Sequence, residues 1–566
     1  MSQSDQFNGR LGLIFASIGA AIGTGNIWRF PRMVGANGGG TFLIPWLIFL
    51  FAWSIPLVIA EYAMGKRSRT GTIGTFRIFA GRRFAWMGLW TAWISTAIGF
   101  YYAVVSGWTL KYFQLGITGA LNGEGVDTTE VWNAFLQSPG QVIFFQFIVI
   151  LLVLGTIWKG AKAIEKVNFY LMISLFALLF LTLFLSLWMD LSDGSLDGAL
   201  FMFTVDFDML MEPEVWINGL SQSAWSCSAG MGMCITYAVY MSKDEDTVLN
   251  AFTMGLANNS ISIIAGLAVL SAIFAVESDP LATVTGGSSA ITFLALPQVF
   301  AQAPGGVIGP LVMTAMFFLA LSFAALTSMI STVELCVRNF VDHGYDRERS
   351  VLITGLAIFI FGLPSAILWI KLDSAGVAFP EFLEVQDHIW GYGLMFSGLF
   401  IAFSIWKYGY IKWRAAVDEG TAPPGFAGYL GLGVSAFRDD FINTGDNDIE
   451  VGRWWDVLIY IAFPVLFFIL MASYFSDMIA NTPNVWDPSN PKGLSIILLF
   501  WGVVAALFIG LNRKLIERPL YRNVPEGADA DISQLPGGSD ALIGQVGDVI
   551  AGFEHLADSI DAELAD

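Results

Sequence analysis

Long apolar stretches recur along the chain, each about as long as a segment that crosses a bilayer. They lie near residues 11–36, 41–64, 86–113, 141–158, 165–188, 215–241, 250–275, 307–336, 350–370, 389–408, 455–475 and 493–512. Because roughly 20 apolar residues span the hydrocarbon core, this pattern predicts twelve transmembrane helices. We therefore expect an all-α polytopic membrane protein.

Basic residues divide the connecting segments into two groups. They cluster after spans two, four, eight, ten and twelve, whereas segments 117–139, 189–213 and 276–305 contain no Lys or Arg. Under the positive-inside rule the basic group and both termini face the cytoplasm, which predicts a multi-pass plasma membrane protein. Segment 117–139 also lacks glycosylation sequons and a cysteine pair, which favours a bacterial inner membrane.

The composition agrees with a membrane protein. Hydrophobic residues make up 55% of the chain and charged residues only 13%, against about 25% charged residues in soluble domains. A soluble enzyme of several domains is therefore excluded. The net charge of −19 is concentrated in the tail after Arg522, which has no Lys or Arg, so nucleic acid is not an expected partner.

These patterns predict four regions. Residues 1–408 form a core of ten spans, 409–453 a cytoplasmic connector rich in Gly and Pro, and 454–513 spans eleven and twelve. Residues 514–566 form an acidic cytoplasmic tail, in which apolar residues at helical spacing predict an amphipathic helix.

Spans one and six carry glycines where a membrane helix should be continuous. Gly19, Gly23 and Gly25 lie in span one, and Gly230 and Gly232 lie in span six beside serines. Close packing through small residues would explain one such helix. Two of them, five spans apart, predict discontinuous helices in a 5+5 inverted repeat, whose exposed peptide groups bind an anionic group and a cation.

The residues around these glycines resemble one known family. The runs GAAIGTGNIWRFP and NGGGTFLIPW (within 19–46), ITYAVY (235–240) and FAALTS (323–328) are similar to the bacterial branch of the neurotransmitter:sodium symporter family. The resemblance implies sodium-coupled import of a small molecule by alternating access between the two sides of the membrane.

The resemblance also implies two sodium sites. The first consists of Ala21, Asn26, Ser226 and Asn258, and the second of Gly19, Ile22, Ala324, Thr327 and Ser328. Neutral oxygens suit a monovalent ion that must leave again. Judged from the residues alone, bonds from Thr327 and Ser328 to the carbonyls of their own helix are the favoured interpretation, and the resemblance reverses this preference.

An amino-acid substrate follows from the same resemblance. The implied substrate-binding residues are Ala21, Thr24, Gly25, Ile98, Tyr102, Trp225, Ser226, Ser228, Met231, Ser328 and Thr332. Carriers of biogenic amines have an aspartate at the position of Gly23, and glycine there leaves room for the substrate's own carboxylate. The side-chain pocket contains no Asp, Glu, Lys or Arg, so we expect a neutral amino acid. Trp225 replaces the usual phenylalanine lid, and betaine-like, β- or γ-amino acids stay open as alternatives.

Three further residues match the gates of the family. Arg29 and Asp387 correspond to the outer gate, and a purely structural ion pair is the competing interpretation. Asp342 corresponds to the acid of the inner gate. Its usual arginine partner is missing because that position is Ser4, and Arg10 is a candidate substitute.

Chloride is a further hypothesis. Some bacterial members carry a glutamate in span seven, whereas chloride-dependent members have a serine, as this chain does at Ser262. Two sodium ions and a zwitterion in a dry site require a compensating anion. The hypothetical chloride set is Trp46, Gln222, Ser226, Asn258 and Ser262.

Other classes of function make different predictions. An amino-acid sensor would bind substrate without accumulating it. A membrane enzyme is disfavoured because the sequence shows no cluster of Asp, Glu and His within the spans, and a continuous channel is at odds with an occluded midplane site. The sequence leaves open the particular amino acid, the ion stoichiometry and the choice between a monomer and a homodimer.

Overall fold

The computed structural model of the protein describes residues 7, 10–122, 125–192, 195–242, 245–285, 291–373, 376–444 and 448–517. Within them, ten helices are long and apolar enough to cross a membrane. An eleventh span consists of two helical segments, Leu11–Ala21 and Gly25–Ala36, that are bent by 53° at a break. The predicted amphipathic helix of the acidic tail lies outside the described residues.

Span six completes the predicted twelve. It consists of Pro213–Ser226 and the short helix Met233–Ala238, with an unwound segment between them. The predicted fold class, with breaks in spans one and six, is therefore confirmed. We call the end of the bundle that carries the Lys- and Arg-rich connections the inner end, and the opposite end the outer end.

The first five spans, including short π-helical turns, have the following bounds. They are Arg10–Ala21, Gly25–Arg29 and Phe30–Ala36 for span one; Gly40–Phe49, Leu50–Ser54 and Ile55–Ser68 for span two; Ala85–Ile117 for span three; Pro139–Ile157 for span four; and Ala161–Leu191 for span five.

The last six spans follow span six. They are Thr247–Val276 for span seven; Ile308–Asp342 for span eight; Arg347–Ile367 for span nine; Glu381–Gln386, Asp387–Gly391 and Tyr392–Asp418 for span ten; Arg453–Val457, Leu458–Ala462 and Phe463–Asn481 for span eleven; and Leu494–Glu517 for span twelve.

Short elements connect the spans. At the outer end these are Thr128–Leu136, Asp197–Phe203, Met209–Met211, Pro280–Thr285, Ile291–Ala295, Leu296–Phe300 and an antiparallel hairpin of β1 (Ile370–Leu372) and β2 (Ala378–Pro380). At the inner end they are Thr72–Phe79, Arg82–Phe84, Phe426–Gly428, Tyr429–Gly433, Val434–Phe437 and Arg438–Ile442.

The connector between spans ten and eleven packs onto the inner end of the bundle. Span ten continues to Asp418, beyond its predicted end at residue 408. Asp246, which caps span seven, also accepts hydrogen bonds from the backbone N–H groups of Asp448 and Ile449, at 2.8 and 3.1 Å. These bonds hold the connector close to the inner end of span seven.

Candidate functional site

The break in span one frees backbone carbonyls. The N–H of Gly23 donates to Asn26 Oδ1 and that of Thr24 donates to the Tyr102 hydroxyl, each at 3.0 Å. In a continuous helix these two groups would bind the carbonyls of Gly19 and Ala20, four residues earlier. The side chains of Asn26 and Tyr102 therefore take the place of a helical turn.

The break in span six depends on residues with left-handed backbone. Ser228, Gly230 and Gly232 have φ angles of 51°, 91° and 78°, a conformation that glycine adopts with little strain. Two side chains anchor the unwound backbone. Glu61 Oε1 accepts from the Gly230 N–H and Ser95 Oγ donates to the Met231 carbonyl, each at 2.6 Å. These bonds satisfy polar groups that hydrocarbon would leave unpaired.

The two breaks are in direct contact with each other. Ser228 Oγ in span six donates to the Ala20 carbonyl in span one, at 3.2 Å. The unwound segments therefore lie side by side within the bundle, as the sequence pattern predicted.

Both breaks face one cavity of about 820 Å³, which extends to the β-hairpin at the outer end. Its lining includes every residue of the predicted substrate set: Ala21, Thr24, Gly25, Ile98, Tyr102, Trp225, Ser226, Ser228, Met231, Ser328 and Thr332. The charged residues that line it include Lys371, Asp373 and Lys492, which lie in the outer connections. The fold therefore places a mainly apolar pocket beside the exposed peptide groups of the two breaks.

The glycines of span one differ in their surroundings. A Cβ at Gly23 would lie 2.9 Å from Ser328 Oγ and 3.0 Å from the Tyr102 hydroxyl, whereas no atom outside its own neighbourhood would lie within 4 Å of a Cβ at Gly25. Gly23 therefore allows the helices to approach each other. Gly25 borders open space in the cavity.

The first predicted sodium set converges on one point. Asn26 Nδ2 lies 3.2 Å from Ser226 Oγ, 2.8 Å from Asn258 Oδ1, 3.3 Å from the Asn258 carbonyl and 2.8 Å from Ser262 Oγ. Ala21 lines the same cavity at the end of the first helical segment. The Asn26 amide donates to these oxygens, so the network holds Asn26, Ser226 and Asn258 together, and neutral oxygens of this kind suit a monovalent cation.

The second predicted sodium set is also assembled. Ser328 Oγ donates to the Ile22 carbonyl at 3.1 Å, and Thr327 Oγ1 lies 3.4 Å from the same carbonyl and 3.0 Å from that of Ala324. A Cβ at Gly19 would lie 3.2 Å from Thr327 Cβ. Hydroxyls and carbonyls of spans one and eight thus meet, and this donor set fits sodium.

The hypothetical chloride set is joined only in part. Ser226, Asn258 and Ser262 surround the Asn26 amide. The indole N–H of Trp46 and the carboxamide oxygen of Gln222 are buried, and neither has a hydrogen-bond partner within the part of the chain that the structure describes. A buried N–H and nearby hydroxyls fit an anion, but among the described residues no hydrogen bond connects Trp46 to the serines.

The outer gate residues bind other partners. Asp387 Oδ1 accepts from the Tyr101 hydroxyl at 2.7 Å, and Arg29 Nη2 donates to Ser221 Oγ at 3.2 Å. Both residues line the cavity, and among the described residues no ion pair joins them. The site is therefore accessible from the outer end.

The inner gate acid has a partner that the sequence analysis did not foresee. Asp342 binds Arg338, one helical turn earlier, at 2.6 Å, and accepts from the Gly71 N–H at 2.5 Å. The side chain of Arg10 and all of Ser4 lie outside the described residues. Beside this pair, the Phe7 N–H donates to the Tyr240 carbonyl at 3.2 Å and the two rings are in contact, so Phe7 covers this part of the inner end.

Several residues of the site were missed by sequence reasoning. They are Glu61, Ser95, Tyr101, Ser221 and Arg338. Glu61 is an acid within an apolar span and Arg338 precedes Asp342 by four residues, so both gave a signal. The other three are ordinary polar residues of helices, and only their contacts distinguish them.

Two broken spans that face one cavity, open at one end and covered at the other, define a membrane transporter with its site near the midplane. The profile described as "Sodium:neurotransmitter symporter family" matches residues 4–138 and 136–427. The chain belongs to this family, as the sequence motifs predicted. It is therefore a sodium-dependent, multi-pass membrane transporter.

Relatives and a solved structure agree with this assignment. The chain is 31% identical to the sodium-dependent transporter YhdH of Bacillus subtilis, over 71% of this chain and 88% of the relative. It is 30% identical to the sodium-dependent transporter MJ1319 of Methanocaldococcus jannaschii, over 84% of this chain and 90% of the relative. The crystal structure of MhsT in complex with L-phenylalanine matches with a TM-score of 0.67 and 28% identity, over 83% of this chain and 99% of that one.

Proposed function

We propose that the protein is a symporter that imports a neutral amino acid together with sodium by alternating access. The observation that carries the proposal is the cavity at the two breaks, which joins exposed peptide groups, a set of neutral oxygens and an apolar pocket. The outer access and covered inner end correspond to the state that receives substrate from outside.

The substrate's carboxylate fits beside the break in span one. The helical segment after the break begins at Gly25, and the N-terminal end of a helix attracts negative charge. The space beside Gly25 and the Tyr102 hydroxyl, which already binds the Thr24 N–H, suit a carboxylate there. Sodium bound at the Asn26 set would add a positive charge close to this position.

The pocket at the breaks suits an apolar side chain of the substrate. Ile98 and Met231 line the cavity at the breaks together with the ring of Trp225, and a charged side chain among them would be unpaired and costly. MhsT, a structure similar to this chain, contains L-phenylalanine. A neutral, apolar amino acid therefore fits best.

Two sodium sites and chloride complete the proposal. Both oxygen sets consist of neutral groups. Two bound sodium ions would therefore carry positive charge that the uncharged side chain of Ser262 cannot balance. Chloride near Ser262 would compensate this charge. The basic connections at the inner end support an orientation in which both termini face the cytoplasm, in a bacterial inner membrane.

A binding screen of the purified chain tests the substrate class. Each amino acid, and betaine and γ-aminobutyrate for comparison, is added with and without sodium while the thermal unfolding temperature is followed. A neutral amino acid should raise this temperature only when sodium is present, because both ligands stabilise the folded state. A sodium-dependent response to betaine alone would assign the other substrate class.

Transport is tested in liposomes. The substrate from the screen should accumulate inside when an inward sodium gradient is imposed, and accumulation should stop when the gradient is dissipated. Binding without accumulation would indicate a sensor instead of a symporter.

The variant Asn26→Ala tests the sodium assignment. It removes the amide at the centre of four oxygens, so sodium-dependent binding should be lost. Asn218→Ala is the matched control, because the Asn218 amide binds only Asn37 among the described contacts and lies toward the outer end of span six. Wild-type affinity in Asn26→Ala would remove the assignment.

A further inference from the structure

Positive charges gather where span twelve reaches the inner end, and we call them the basic patch. It consists of Arg82, Arg83, Lys407 and Arg513. Asn512 of span twelve is bonded to the turn that carries two of them, because its Nδ2 donates to the Arg82 carbonyl at 3.0 Å and its Oδ1 accepts from the Trp86 N–H at 2.9 Å. Arg513 follows Asn512 directly, so span twelve brings its charge next to the Arg82–Phe84 turn.

Span ten supplies the fourth charge of the patch. Lys407 Nζ lies 5.9 Å from the centroid of the Phe84 ring, and the Arg83 guanidinium is close enough to repel the Lys407 ammonium. The side chains of Arg82, Arg83 and Arg513 are exposed, and that of Lys407 is partly exposed. Like charges brought together at a surface attract an anionic group from the surroundings.

The acidic tail begins beside this patch. The described part of span twelve ends at Glu517, four residues after Arg513. Residues 523–566 contain ten acidic residues and no Lys or Arg. A segment tethered so close to a binding surface has a high effective concentration there, in the millimolar range for a short flexible linker. Surface ion pairs that are weak one by one are then sufficient to hold it.

The charge of the tail favours the protein over the bilayer as its binding surface. Anionic lipid attracts basic segments and therefore repels a segment whose charged residues are acidic. Within the predicted amphipathic helix, Glu554, Asp558 and Asp561 follow each other at spacings of four and three residues, which places them on one face of a helix. Such an acidic face complements the four positive charges of the basic patch.

The basic patch is also connected to the closed inner end. The Arg82–Phe84 turn lies between the helix Thr72–Phe79 and span three. Just before that helix, the Gly71 N–H donates to the inner gate acid Asp342 at 2.5 Å. A segment bound to the turn would therefore hold in place a part of the chain that closes the inner end.

We propose that the acidic tail, residues 523–566, docks on the basic patch, holds the Arg82–Phe84 turn and thereby slows opening of the inner end. The effect on transport rests on the proposed function, since it takes opening of the inner end to be a step of the cycle, whereas docking does not depend on transport. Salt screens charges between exposed groups, so ionic strength controls how much of the tail is docked.

Cross-linking of the full chain tests docking. A carbodiimide joins a lysine amine to a carboxylate in contact with it, and both Lys407 and the exposed Lys514 are within reach of a docked tail. In vesicles of uncharged phosphatidylcholine at low salt, mass spectrometry should find tail carboxylates joined to these lysines within a single chain. A salt concentration of about 1 M, at which the Debye length is about 3 Å, should remove the cross-links.

Charge reversal on either side makes the result specific. Arg82→Glu with Arg83→Glu should lower the cross-link yield about tenfold, as expected for the loss of several surface ion pairs. Glu554→Lys with Asp558→Lys should have the same effect without a change in the bundle. All four substitutions together restore opposite charges and should recover the cross-links.

The matched control is Lys159→Glu with Lys162→Glu. It makes the same change of charge at two exposed residues of the inner end, at the start of span five. Its cross-link yield should equal that of the wild type. An equal loss of cross-links in this control and in the reversed patch would indicate general attraction to the inner end and would overturn the assignment of the patch.

Uptake measures the consequence for transport. In liposomes, sodium-driven uptake should be about twofold faster in the variant Arg82→Glu with Arg83→Glu, because a docked tail removes part of the population from the cycle. Potassium gluconate added equally on both sides should accelerate the wild type and leave this variant unchanged. Unchanged uptake in this variant, with its cross-links lost, would overturn the effect on opening.

Two further outcomes would overturn docking itself. One is the absence of tail cross-links in the wild type at low salt. The other is cross-links that disappear when phosphatidylglycerol replaces phosphatidylcholine, because the patch would then belong to anionic lipid. If the wild type accumulates no substrate under a sodium gradient, the proposed function fails, and the cross-links still report on docking.

Discussion

The indole of Trp225 lies against the backbone of Gly391. A Cβ at Gly391 would lie 2.7 Å from ring atoms Cζ2 and Cη2 of Trp225, closer than carbon atoms can approach. Gly391 ends the π-helical turn Asp387–Gly391 of span ten, and Asp387 Oδ1 would be 3.5 Å from the same Cβ. Glycine at position 391, four residues after the outer gate residue Asp387, therefore leaves the space that the Trp225 ring occupies.

Gly391→Ala should displace this ring. Inserting a carbon atom into a packed position costs about 1–3 kcal/mol, so amino-acid affinity should fall about tenfold, measured by titration calorimetry. Trp225→Phe in the same chain removes the colliding part of the ring and should restore affinity in the double variant. Equal losses in Gly391→Ala with either ring would show that the contact is not responsible.

Gly25→Ala distinguishes substrate space from packing space. Since no atom lies within 4 Å of the added Cβ, the unfolding temperature without substrate should not change. Amino-acid binding should nevertheless be lost, because the methyl group would occupy the proposed carboxylate position. Gly23→Ala is the contrasting variant, since its Cβ would meet Ser328 and Tyr102 and should lower stability as well. Unimpaired binding in Gly25→Ala would place the carboxylate elsewhere.

The chloride hypothesis predicts an ion dependence that one substitution removes. Sodium-driven uptake by the wild type should fall when chloride is replaced by gluconate. In Ser262→Glu a fixed carboxylate supplies the negative charge next to the Asn26 amide, so uptake should no longer require chloride. The measurement is uptake in liposomes across both anions. Wild-type uptake that is equal in gluconate would contradict the hypothesis.

Asp342→Ala should destabilise the closed inner end. It leaves Arg338 and the Gly71 N–H without their buried partner, and breaking a buried ion pair from one side costs about 3–5 kcal/mol. Thermal unfolding should show a lower transition temperature. Asp418→Ala is the control, because the Arg414–Asp418 pair has the same spacing but is 57% and 60% exposed, and such pairs contribute at most about 1 kcal/mol. Equal shifts in both variants would argue against a special role for Asp342.

The positions of the two breaks were predictable because their cause is local. Gly230 and Gly232 adopt φ angles of 91° and 78°, which other residues avoid. The presence of glycine at these positions therefore indicates the unusual backbone conformation directly from the sequence. The predicted sodium and substrate residues came together in the structure, although their roles as ligands remain predictions.

The partners of the gate residues were not predictable in the same way. Asp387 binds Tyr101 and Arg29 binds Ser221, across separations of 286 and 192 residues. A hydroxyl in a helix has the same local pattern whether it faces lipid, its own helix or a distant carboxylate. The choice between these partners depends on how the helices are placed around each other.

The sequence by itself determined that the chain spans a membrane many times, that spans one and six are interrupted and that the family is one of sodium-dependent transporters. Length, hydropathy and the φ preferences of glycine suffice for the first two conclusions, and the motifs suffice for the third. Only the tertiary structure decided which polar groups are paired with each other: Glu61 with the Gly230 N–H, and Arg338 with Asp342. The physical reason is that hydrogen bonds between spans depend on distances of a few tenths of an ångström, which are set by the packing of the whole bundle.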